Sequence, residues 1–187
     1  MLGVLALAAI IIPSMQRHIS TAAYQPLLYV IAKGESQGNY NAYFGNVANN
    51  DMRFTSMTIQ QVLDWQTKYI EQGAASNAVG KYQFMGTTLR GLVREQRIDL
   101  SERFDEHMQD RLAIALINRR GAEPFVDKKI SAEQFATNLS MEWAALPAMV
   151  GPQAGQSYYA GDGLNAAHVT PDEMKTAIET FRAAATK

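Results

Sequence analysis

The sequence contains no cysteine, which removes disulfides and thiolate zinc sites from consideration and fits any redox compartment. An excess of basic charge is missing as well: 17 Lys and Arg stand against 18 Asp and Glu, for a net charge of −1. No basic stripe offsets that balance, so the electrostatic footprint of nucleic-acid binding is absent and no nucleic-acid partner is expected. The three histidines, His18, His107 and His168, lie far apart without HExxH spacing. The sequence therefore predicts no metal centre, and it offers no motif for another cofactor. A long hydrophobic run is lacking too. The apolar stretch Met1–Ile12, "MLGVLALAAIII", stops at Pro13, short of the roughly 20 residues that a straight membrane-spanning helix needs. Its length suits a signal-peptide core, but no Lys or Arg precedes it, and "STA" followed by Ala23 is only a weak cleavage site. Three readings stay open for residues 1–23: a buried or partner-covered helix, a membrane anchor or export signal, and an assembly element.

What is present is a chain of 187 residues, 47% apolar and 19% charged, suited to one globular domain over 24–187. No internal repeat or low-complexity linker divides it. Leu27, Leu28, Val30 and Ile31 give an apolar helix with Pro26 in its first turn, and Gly34 and Gly38 stop it near Glu35. From Gly38 to Ser56 the chain is rich in Gly, Asn and aromatics, which predicts an irregular loop or a small β-hairpin. Thr58 and Gln61 have capping-box spacing ahead of a helix with Ile59, Val62, Leu63 and Ile70 on its apolar face. A further helix is expected from about Thr87. Another, capped by Ser101 and closed by Gly121, has Phe104, Met108, Leu112, Ala115 and Leu116 at helical spacing. "SAEQFATNLSMEWAAL" reads as a capped helix running to Pro147. A Gly-rich loop follows, and Thr170 and Pro171 start the last helix. The fold class is mainly α, with one polar, possibly β, excursion after Glu35.

Glu35 is the residue that invites chemistry. A carboxylate at a helix C-terminus meets the negative end of the dipole, which disfavours ionisation, and if apolar neighbours also desolvate it, its pKa rises. A carboxyl still protonated near neutral pH is what a general acid for glycosidic cleavage requires. Around it, "ESQGNYNAYFG" supplies Ser36, Asn39 and Asn41, short polar groups that bond a sugar or brace the acid. Tyr40, Tyr43 and Phe44 bring apolar faces for stacking or desolvation.

Taken in order, "GESQGNYNAYFG", "SNAVGKYQFMGTTL", "DEHMQDRLAIALINRRG", "SMEWAALP" and "GQSYYAGDG" resemble the lysozyme-like peptidoglycan glycosidases of bacteriophages. The likeness is greatest to the lambda-type endolysins, which are lytic transglycosylases, and it spans Tyr24 to the C-terminus. It implies a lysozyme-like α+β domain with a small hairpin or irregular lobe after the first core helix, preceded here by an apolar N-terminal helix with no counterpart. It implies glycan strands of peptidoglycan as substrate, Glu35 as the catalytic acid and base, and action at the periplasmic or cell-wall face. Ser36, Tyr43, Lys81, Tyr82 and Gln83 would then line the cleft, with Tyr158 and Tyr159 as another wall. Tyr82 and Phe84 suit packing equally well, as do Tyr158 and Tyr159, while Trp143 reads as core and Glu142 as a structural acid. Many bacterial lytic transglycosylases follow the catalytic Glu with Ser and soon a Gly, whereas Gln37 intervenes here.

Asp51, 16 residues after Glu35, divides two mechanisms. As a second carboxylate across the cleft it would make a hydrolytic muramidase; as a turn-former beside Asn49 and Asn50 it would leave a single-Glu transglycosylase. A rival from another class is a virion or secretion-apparatus structural protein whose lysozyme-like domain binds glycan without cleaving it. In either case residues 1–23 offer a contact to a membrane or a virion partner.

Overall fold

The computed structural model describes residues 19–187, so the apolar helix expected at the extreme N-terminus lies outside the described residues. Ile19 packs against the core, and Ala23 and Tyr24 are buried in a short 3-10 turn, Thr21–Tyr24. That turn leads into α1, Gln25–Ser36, whose Leu27, Leu28, Val30 and Ile31 are buried. Pro26 sits in the first turn, where a missing N–H costs nothing. At the other end Gln37 takes a left-handed conformation at φ 54°. Its N–H and that of Gly38 both donate to the Ala32 carbonyl, closing the helix just past Glu35.

Six further helices follow among the described residues: α2 Ile59–Glu71, α3 Gly86–Gln96, α4 Glu106–Arg119, α5 Ala122–Val126, α6 Ala132–Ser140 and α7 Pro171–Ala185. The Thr58–Gln61 capping box forms as its spacing predicts, and Thr170 makes a second one with Glu173. α7 packs on α1 and α6. The rings of Phe125 and Phe135 stack at 4.8 Å, and Tyr24 packs on Phe181 at 5.1 Å. Burial of these apolar faces, more than helix propensity, fixes the arrangement.

Three local expectations are corrected. Ile70 is 43% exposed, while the buried position at that end of α2 belongs to Gln66. The Gln66 carboxamide donates to the carbonyls of Asn77 and Phe84, two loop groups that an isoleucine could not satisfy. Ser101 does not cap α4. Asp99 holds it in a tight turn, Phe104 N donates to the Met57 carbonyl, and Asp105 caps the helix by accepting from Met108 N. Finally, α6 stops at Ser140, and residues 141–146 form turns instead of continuing to Pro147.

The polar excursion after α1 is a small lobe held by isolated antiparallel bridges, Tyr43 with Asn46 and Val79, and Val79 with Phe84. Asn49 braces it, donating to the carbonyls of Asn41 and Met52 and accepting from the N–H groups of Asp51 and Met52. Tyr43, Phe54, Trp65 and Tyr69 join rings beneath it. The fold is the mainly helical one expected, with the small polar lobe following α1. Among the described residues no helix is long and apolar enough to cross a membrane.

Candidate active site

The end of α1 opens onto a cleft of about 670 Å³ between the lobe and the chain near Ala145 and His168. Glu35 lies in its wall, and its Oε1 accepts a hydrogen bond from Ala145 N at 3.0 Å. The approach depends on Gly34. A Cβ there would stand 2.9 Å from Ala145 Cβ and 3.0 Å from Val169 Cγ2, so only glycine lets the last turn of α1 lie this close. Ala145 in turn accepts from His168 N and Val169 N. One alanine backbone thus ties α1, the turns after α6 and the approach to α7 around a single carboxyl.

That carboxyl is held well above the ordinary range. Protein crowds it, and desolvation raises its pKa from 4.5 to about 7, with the Ala145 hydrogen bond pulling the other way. The residue is still partly open to the cleft, so a substrate can reach the proton. Among the described residues no other Asp or Glu lines the cleft.

The remaining expected residues divide. Ser36, Tyr43 and Gln83 line the cleft with Glu35. Ser36 is fully buried and its Oγ donates to the Lys81 carbonyl at 2.6 Å, so it joins α1 to the "GKYQF" loop. Gln83 occupies the left-handed region at φ 48° in the tight turn closed by Val79 and Phe84, and its carboxamide donates to Gly80 O. With Gln37, two of the four left-handed non-glycine residues among the described residues border the cleft, the kind of backbone strain that functional sites hold.

Tyr82 is not in the cleft. It is buried, its hydroxyl donates to Asp110 Oδ1 at 2.6 Å, and its carbonyl accepts from Trp143 Nε1. Burial and the facing carboxylate both raise its pKa. Trp143 is core, as its sequence context predicts, and Glu142 is a structural acid paired with Arg120. Lys81 borders a neighbouring groove, with Nζ 2.9 Å from the Tyr40 hydroxyl. Tyr158 and Tyr159 pack edge to face outside the cleft lining, and the Tyr159 hydroxyl donates to Met141 O. Asp51 is exposed and also outside that lining.

Sequence reasoning missed Ala145, His168 and Asp110. An alanine N–H carries no chemical label, and the signal that could have found it was Pro147, which limits how far a helix can run. Asp110, which accepts from the hydroxyls of both Tyr40 and Tyr82, was hidden in the amphipathic pattern of α4. Among the described residues no group of three His, Asp or Glu could hold a metal ion.

Known proteins share this fold. The lysozyme from bacteriophage lambda superposes with a TM-score of 0.51 at 17% identity, covering 90% of this chain and 97% of that one. The same lysozyme complexed with a chitohexasaccharide gives a TM-score of 0.53 at 18% identity over the same shares. At these identities the likeness shows the fold. No curated protein matches. The Endolysin family model matches residues 25–171, from the start of α1 to the first residue of α7 and so through every segment that borders the cleft. The chain belongs to the Endolysin family and is a peptidoglycan-degrading glycosidase.

Proposed function

We propose that the chain is a lytic transglycosylase that cleaves the MurNAc–GlcNAc β-1,4 bond with Glu35 as its one catalytic carboxyl. The observation that carries the reading is that, among the described residues, Glu35 is the one acid lining the cleft, where desolvation raises its pKa to about 7. In the first step Glu35 gives its proton to the glycosidic oxygen as the bond to C1 of MurNAc breaks, and the GlcNAc 4-hydroxyl departs. The N-acetyl oxygen of the substrate supports the oxocarbenium-like centre. In the second step the Glu35 carboxylate takes the proton of the MurNAc 6-hydroxyl, whose oxygen bonds to C1. The product is a 1,6-anhydro sugar, no water is consumed, and Glu35 regains its proton.

Gln83 and Tyr43 are the polar and aromatic contacts for the sugars, while Ser36 holds the loop that carries Gln83. The muramidase alternative needs a second carboxylate about 5–10 Å from the first, and Asp51 is exposed away from the cleft lining. A solved relative bound to a chitohexasaccharide supports a glycan in this cleft. In the same reading the apolar run Met1–Ile12 makes a membrane or virion contact that keeps the enzyme at the cell-wall face, and fractionation of the full chain tests it.

The deciding experiment is mass spectrometry of fragments released from purified peptidoglycan by wild type and Glu35→Gln. Anhydro-MurNAc ends from wild type alone are expected. Reducing MurNAc ends would replace the transglycosylase with a muramidase, and release by Glu35→Gln at the wild-type rate would remove Glu35 as the acid.

A further inference from the structure

A second groove, about 420 Å³, runs along the outer face of α1. Lys33 and Gln37 line both this groove and the cleft, so the two spaces meet at the end of the helix that carries Glu35. Leu28 and Ala32, both buried, form an apolar floor, and Tyr29, 72% exposed, stands along it. Among the described residues the charged groups lining the groove are Lys33 and Lys81, and no Asp or Glu lines it. Each lysine has an acidic neighbour, Glu173 for Lys33 and Asp110 for Lys81, but neither acid lines the groove. An occupant meets two ammonium groups above a strip of alkyl surface, each shared with an acid outside the groove and Lys81 also with the Tyr40 hydroxyl.

Its length is also defined. Between Gln25 and Gln37 the helix rises about 18 Å, the reach of about five residues of extended chain. Peptidoglycan supplies such a group: the lactyl arm of MurNAc carries a short peptide with small alkyl side chains and free carboxylates. We propose that this groove is a subsite for the acidic stem peptide of the MurNAc bound in the cleft. Carboxylates of the stem pair with Lys33 and Lys81, its alkyl groups lie on Leu28 and Ala32, and the stem leaves the cleft past Gln37. The proposal rests on the reading of the Glu35 cleft as the glycan site.

The test compares kcat/KM of the full chain on glycan strands that keep their stems and on strands stripped of them by an amidase. Lys33→Gln removes one ammonium group. Gln25→Glu, at an exposed first-turn position of α1 that tolerates an acid, sets a negative charge against the stem without disturbing either lysine. The wild type is expected to prefer stem-bearing strands, and each variant to lower that preference about threefold, the scale of one partly exposed ion pair. Stripped strands report folding and the chemistry at Glu35; because Lys33 also lines the cleft, Gln25→Glu, whose position lines the groove and not the cleft, separates the two. If stripped strands are cleaved and neither variant changes the preference, the proposal is overturned and the groove belongs to another occupant. If wild type cleaves neither substrate, the Glu35 reading fails and the stem subsite fails with it.

Discussion

Glu35→Gln separates the energetic cost of the buried acid from its use. Below pH 4.5 the carboxyl is neutral in both the folded and the unfolded chain, and above about 7 it is ionised in both. Between those values the folded chain keeps a proton that the unfolded chain has released. Stability is therefore greatest at the acid side of the window and is lost as pH rises through it. Each tenfold change in proton affinity is worth 1.36 kcal/mol, so a rise from 4.5 to about 7 carries at most about 3 kcal/mol. The residue is partly open to the cleft, and solvent screening lowers that figure to about 2 kcal/mol. Glutamine has nearly the same shape, its carbonyl can accept from Ala145 N, and it has no charged form to desolvate.

Denaturant unfolding of wild type and variant at pH 4 and pH 8 isolates the effect, because every other titrating group is common to both proteins. Between those pH values the variant is expected to gain about 2 kcal/mol relative to wild type while losing lytic activity at both. Stability differences that stay parallel across the window, within about 0.5 kcal/mol, would refute the claim that desolvation sets the affinity of Glu35 for its proton.

Three further outcomes are expected. The wild-type kcat should fall as pH rises above about 7, approaching tenfold per pH step, because the proposed mechanism needs Glu35 protonated; a turnover rate that keeps rising to pH 9 would contradict this. Asp51→Asn should keep turnover within about twofold of wild type, since an exposed side chain outside the cleft lining has no route to C1; a drop of a hundredfold would restore the two-carboxylate mechanism. Gly34→Ala gains about 1 kcal/mol of helix propensity, but the added methyl would meet Ala145 and Val169 at 2.9 and 3.0 Å. Overpacking of that kind costs about 1–3 kcal/mol, so thermal unfolding should show a net loss of about 1 kcal/mol, with activity reduced as α1 moves off Ala145.

What could be read from the sequence was local. The capping box at Thr58 and the N-cap at Thr170 depend on residues a few positions apart, and both form. Glu35 stood out because it closes an apolar helix before a polar loop, a pattern contained in about ten residues of chain. Tyr82 was harder. Its neighbours allow a cleft wall or a core, and the choice is made by Asp110 and Trp143, 28 and 61 residues away, which take its hydroxyl and its carbonyl. Tyr158 and Tyr159 show the same limit. Aromatics in a Gly-rich loop suit a sugar platform, yet the Tyr159 hydroxyl is taken by a carbonyl 18 residues back.

That carbonyl belongs to Met141, and it explains why an expected helix had to fail for the site to exist. Had α6 continued to Pro147, Ala145 N would have bonded Met141 O in the regular ladder and would have had nothing to offer Glu35. Instead Met141 O accepts from Tyr159, Trp143 Nε1 reaches across to Tyr82 O, and Glu142 pairs with Arg120. These contacts hold residues 141–146 in turns, and Ala145 N points at the acid. Helix propensity over "SMEWAAL" is good, so the local pattern favours the wrong answer, and long-range partners that satisfy the released backbone groups override it. The residues lost to the helix pattern and the donor missed at the site are therefore one and the same feature. Within a stretch of good helix formers, a functional backbone N–H becomes available only where tertiary contacts take over the carbonyl four residues before it.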